Sequence, residues 1–137
     1  MKWLCTLLVL VSGHVLACGC AQSSLDERYA KASLVFVGST KATADVPRRH
    51  GETISFQITR SLKGGRRDGS KVAIDPLFDT DCTAPFVADA QLLVFAFTQP
   101  GHTPIVSACS IRATEPVTFE GRLLRPEPEV LEFLRSH

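Results

Sequence analysis

Most of the chemistry this sequence offers sits on four cysteines: Cys18 and Cys20, separated only by Gly19, and the solitary Cys82 and Cys109. A fifth, Cys5, lies within an apolar N-terminal run. Four is an even number, as a disulfide framework requires, and Cys18 and Cys20 stand too close to pair comfortably with each other. Two bonds to Cys82 and Cys109 are therefore expected, and the spacing leaves the order of partners open. Each would close a loop of roughly 60 to 90 residues and, through the entropy of the unfolded chain, stabilise the fold by about 4 kcal/mol. With the cysteines so consumed, no thiolate remains for attack. Ser107, Ser110 and Thr80 lack a Gly-x-Ser-x-Gly elbow, so an enzyme is not expected.

Other candidate sites are weaker. His50, His102 and His137 fall in a polar loop, a Pro-Gly loop and the last position, and nothing in their spacing converges on a metal or a catalytic base. Asp79-Thr80-Asp81-Cys82 has the form of a small cation loop without the glycine and terminal glutamate of a calcium-binding hand, so it reads as a hydrophilic turn before a structural cysteine. No cofactor and no metal of the chain's own are expected.

The leader decides what Cys18 can do. Residues 1–17 carry one charge at Lys2, then an apolar run over residues 3–11, and close on Val15-Leu16-Ala17, the small-residue spacing of a signal-peptidase site. Removal of residues 1–17 makes Cys18 the first residue of a secreted, periplasmic or extracellular chain. The run is too short for a ~30 Å hydrocarbon core, which needs roughly 20 apolar residues, and no transmembrane segment is expected elsewhere. Two rival processing events stay open. Val15-Leu16-Ala17-Cys18 approximates a lipobox that would acylate Cys18 and anchor the protein to a membrane surface, at the expense of an unpaired cysteine. Cleavage after Ala21 would instead leave Cys82 with Cys109 alone.

The chain has 137 residues, 15 Lys and Arg against 14 Asp and Glu; without Lys2 the basic and acidic residues balance. Bulk charge therefore calls for neither nucleic acid nor an anionic membrane. Arg48-Arg49-His50 and the basic residues between Lys63 and Arg67 could form a rim, but Tyr29 is the only tyrosine and Trp3, in the leader, the only tryptophan, which leaves little for bases to stack on. An anionic glycan or a partner's acidic surface suits such a rim better.

Residues 18–137 suffice for one compact domain. Ser24-Leu25-Asp26-Glu27 forms a capping box, and Leu25, Tyr29 and Ala32 follow at helical spacing, predicting a short helix over residues 23–32. Leu34-Val35-Phe36-Val37-Gly38 is an apolar first strand. Residues 53–59 alternate and place Ile54, Phe56 and Ile58 on one buried face. After a turn-rich connection over residues 63–69, Lys71-Val72-Ala73-Ile74-Asp75 gives a third strand ended by Pro76. Residues 92–97 suit a fully buried strand, and residues 104–109 a fifth that carries Cys109 into the core. Val130, Leu131 and Leu134, after Pro126 and Pro128, predict a terminal helix of about 10 residues. Five short strands without alternating crossover helices favour a mainly β fold, a small barrel or sandwich, with the oligonucleotide/oligosaccharide-binding barrel as the best specific form.

Cys-x-Cys at a mature terminus, the following helix, the strand Leu34-Val35-Phe36-Val37-Gly38, the run from Phe56 to Gly64, the lone Cys82, Leu93-Val94-Phe95-Ala96 and Cys109 occur in an order that resembles the N-terminal domain of the tissue inhibitors of metalloproteinases. Single-domain bacterial proteins of that type are nearer still, and the resemblance spans residues 18–109. It implies a five-stranded oligonucleotide/oligosaccharide-binding barrel with two disulfides, Cys18 to Cys82 and Cys20 to Cys109. It also implies a partner, a zinc metalloprotease, whose catalytic zinc is chelated by the α-amino group and carbonyl of Cys18, with Gly19 and Cys20 in the contact ridge. A neutral amine and a carbonyl oxygen are competent zinc donors that together displace the attacking water. Two departures from that pattern are visible: Gly19 offers no side chain to a specificity pocket, and Gln22 stands where the inhibitors typically carry proline. The alternative expectation is an extracellular or envelope module that binds protein or glycan through loops 43–51 and 63–69.

Overall fold

The structure, a computed structural model, describes residues 23–43, 52–77 and 86–137. Its first element, helix α1 (Leu25–Lys31), starts as its sequence dictates. The Glu27 amide donates to Ser24 Oγ at 3.1 Å while the Ser24 amide donates to Glu27 Oε2 at 3.3 Å, so two of the helix's orphan donors are satisfied reciprocally. At its other end Lys63 Nζ donates to the carbonyls of Tyr29 and Ala30 at 2.7 and 3.1 Å, placing a cation where the helix dipole is negative.

Strands β1 (Leu34–Thr40), β2 (Ile54–Lys63), β3 (Lys71–Leu77), β4 (Leu92–Ala96), β5 (Ile105–Ser107) and β6 (Ile111–Ala113) form one sheet in the order β5-β3-β2-β1-β4-β6. All neighbours run antiparallel except β3 and β5, which are parallel. The sheet nearly closes on itself: Phe97, just past β4, and Ile105 exchange both backbone hydrogen bonds at 2.9 Å. The result is mainly β and barrel-like.

Two layers of core explain the two kinds of strand. β1 and β4 are buried on both faces, hence their unbroken apolar runs. Phe36, Leu92 and Val94 point into the barrel with Ile54, Phe56, Ile58 and Ile74, whereas Val35, Val37, Leu93 and Phe95 point outward against the helices. β2 has one buried face, and Ile54, Phe56 and Ile58 on it are at most 2 % exposed, as their alternation predicts. Helix α2 (Pro128–Ser136) covers the outer layer with Val130 and Phe133, and Arg60 Nη1 donates to its Leu134 carbonyl at 3.0 Å. Gly38 sits at a register shift between β1 and β2, so close to the neighbouring strand that a Cβ there would lie 2.5 Å from the Gln57 carbonyl oxygen.

Three expectations need correction. The strands exceed five, because β6 and a separate hairpin of β7 (Val117–Phe119) and β8 (Arg122–Leu124) follow the barrel. β3 is not ended by Pro76 but runs through it; pairing with β2 stops at Ile74, so no strand on that side asks Pro76 for an N–H. Cys109 lies not on a strand but in a 3-10 turn, Ala108–Ser110, between β5 and β6. The turn is where the chain leaves β3 and crosses to pair with β4, which a straight strand cannot do.

Candidate functional site

Of the predicted site residues, Cys18, Gly19, Cys20 and Cys82 lie outside the described residues, as do residues 1–17, His50 and Asp79-Thr80-Asp81. Cys109 is described. It is disulfide-bonded, half-buried, and the only cysteine among the described residues.

Cys109 is held from two sides. Arg28 Nη1, from the middle of α1, donates to its carbonyl oxygen at 2.9 Å, and Arg112 Nη1, from β6, donates to the same oxygen at 2.9 Å and to the Ile111 carbonyl at 3.2 Å. The two guanidiniums thus converge on one acceptor. Burial pushes the Arg28 pKa below its ordinary value, the Arg112 charge adds to that, and Glu129 on α2 acts in the opposite sense. Glu129 is itself engaged, because its Oε1 accepts the Leu25 amide at 3.2 Å and ties the start of α1 to α2. Elements far apart in sequence therefore meet around the Cys109 turn: α1, β6 and α2. Sequence reasoning missed Arg28 and Arg112 altogether. The one available signal was Arg112 lying three residues past Cys109.

The remaining candidates separate. Ser107 Oγ and Ser110 Oγ hydrogen-bond to each other at 2.9 Å across the turn. His102 is exposed in its loop, and His137 stacks on Phe133 with ring centroids 4.2 Å apart. Of the anticipated basic rim, Lys63 is turned toward α1 while Arg66 and Arg67 are exposed, and Arg48-Arg49-His50 lie outside the described residues. Among the described residues no group of three or more His, Cys, Asp or Glu could hold a metal ion, and no helix is long and apolar enough to cross a membrane. A groove of about 520 Å³ opens beside β1, β2 and β3, lined by polar side chains including Ser39, Ser55, Gln57, Lys71 and the Lys41–Asp89 ion pair.

No protein-family model matches the chain, and no curated protein matches it.

Proposed function

We propose that this is an exported, disulfide-braced binding protein built on an oligonucleotide/oligosaccharide-binding barrel, and that its mature N-terminus inhibits zinc metalloendopeptidases. The strand order, with β3 and β5 parallel and the Phe97–Ile105 bridge closing the sheet, supports that barrel type. The observation that carries the inhibitor reading is the grip of Arg28 on Cys109. It sets the disulfide-bonded turn against the helix whose cap, Ser24, follows Cys20 by only four residues, a reach of at most ~14 Å. Cys20 bonded to Cys109 and Cys18 to Cys82 fit this arrangement. Cys18 would then present its amine and carbonyl to a protease's zinc from a clamped ridge. Rigidity matters because a chelator that is already ordered loses less entropy on binding.

The test is direct. Purified mature protein should inhibit a zinc endopeptidase, and one residue added before Cys18, or acetylation of its amine, should abolish inhibition. Inhibition that survives either treatment removes the mechanism, and mass spectrometry showing an acylated Cys18 removes it as well.

The groove beside β1, β2 and β3, with Gln57 and Lys71 on its wall, supports a second reading, a module for a ligand such as a glycan that offers both hydroxyls and apolar ring faces. Lys71→Ala and Gln57→Ala should then weaken capture on a glycan array, while acetylating the terminus changes nothing.

A further inference from the structure

We propose that the recess between β6, β8 and the start of α2 binds a small organic carboxylate with a short apolar chain, the carboxylate on Arg112 and Arg125 and the chain over Ile111 and Val130. The site shares no residue with the mature terminus or with the groove beside β1, β2 and β3, so it stands or falls independently of both functional readings.

The recess follows from the way the sheet ends. β6 is an end strand paired with β4, and the β7–β8 hairpin forms a sheet of its own rather than extending it. The space left between them has a volume of about 200 Å³. Buried Ile111 and Val130 form its floor, and half-buried Leu124 lies on its wall.

Arg112 carries the argument toward a ligand. Its Nη1 donates to the carbonyls of Cys109 and Ile111, whereas its Nε is buried and has no acceptor among the described residues. A buried donor without an acceptor is unfavourable, and more so on a cation. In a planar guanidinium the Nε–H runs alongside one N–H of Nη2, and that edge is a fork matched to the two oxygens of a carboxylate. Arg125 lines the same recess, is exposed, and makes no ion pair among the described residues. Glu127 lines it too, so two guanidiniums face one carboxylate and the recess keeps an excess of positive charge.

Two guanidiniums alone would suit a phosphate equally well. The apolar floor decides for an organic acid, because a phosphate would give up hydration against Ile111 and Val130 and gain nothing there. Size narrows the class further: at ~30 Å³ for each methylene-sized group, the share a water takes in the liquid, the recess holds about six or seven groups.

Hexanoate is the probe, titrated into wild-type ¹⁵N-labelled protein and followed by nuclear magnetic resonance. Binding should saturate with a Kd on the order of 1 mM, as expected for a ligand of so few atoms. The Arg112 Nε–Hε resonance should move downfield, with the Ala113 and Leu124 amides shifting along the same curve. Hexanamide, which lacks the charge, and acetate and inorganic phosphate, which lack the chain, should each bind about tenfold more weakly or worse. Arg125→Gln alters only an exposed side chain and should weaken hexanoate about threefold to tenfold. Absence of saturation by ~20 mM, well past that Kd, overturns the proposal. So does an unmoved Arg112 Nε–Hε resonance, equal binding of hexanamide or phosphate, or an unchanged Kd in Arg125→Gln.

Discussion

A methyl group at position 38 would lie 2.5 Å from the Gln57 carbonyl oxygen, which is backbone of a paired strand and cannot swing aside. Gly38→Ala should therefore cost about 1 to 3 kcal/mol in equilibrium denaturation, with the midpoint falling and the slope unchanged. Position 19 answers to the opposite logic. On the inhibitor reading, Gly19 leaves a protease's specificity pocket unfilled and lets the terminus flex, so Gly19→Val should tighten inhibition about tenfold or more, as burying one small side chain allows. Titration against the same endopeptidase measures it, and unchanged or weaker inhibition counts against a contact at that residue. The convergence of Arg28 and Arg112 could not have been read from the sequence, because no local pattern says that two arginines 84 positions apart share an acceptor. The cysteines announced themselves by type. Their surroundings did not.

Helices α1 and α2 are fastened to the outside of the sheet by few residues, which makes their removal legible in experiment. Phe133 is 4 % exposed, packs on Phe95 at a ring-centroid distance of 5.8 Å and meets Tyr29 at 5.7 Å. Phe133→Ala should cost about 3 to 5 kcal/mol and strip protection from β1 and β4 amides in hydrogen exchange. Lys63→Met, which removes only the cation at the end of α1, should cost about 1 kcal/mol or less. The elements that were legible beforehand are those whose burial is periodic or total: the capping box of α1, the alternation of β2, the unbroken runs of β1 and β4. Those missed are three residues long. In β6 only Ile111 is buried, and in the hairpin only Val117, so periodicity had nothing to register. The turn at Ala108–Ser110 was hidden for another reason. Its residues suit a strand locally, and only the need to cross between β3 and β4 bends them.

At the scale of the molecule, barrel closure rests on a single backbone bridge between Phe97 and Ile105 together with the Cys109 corner. The antiparallel part of the strand order follows largely from hairpin connections, and the closing bridge spans only eight positions; the non-local contact is the parallel pairing of β3 with β5, which had no counterpart in composition or spacing. Reducing the Cys109 disulfide should consequently lower stability by about 4 kcal/mol, and the amides of β5 and β6 should exchange before those of β1 and β2. Simultaneous loss of protection throughout would show that the seam is not the weak point. The hairpin of β7 and β8 has a practical consequence. Its tip, Glu120 and Gly121 with φ of 48° and 73°, is exposed, and Leu123 is 57 % exposed. At the C-terminus, by contrast, His137 is stacked on Phe133. An affinity tag or fluorophore spliced between Glu120 and Gly121 therefore gives a handle for immobilisation that spares the terminal helix and leaves the opposite end of the chain free to be assayed.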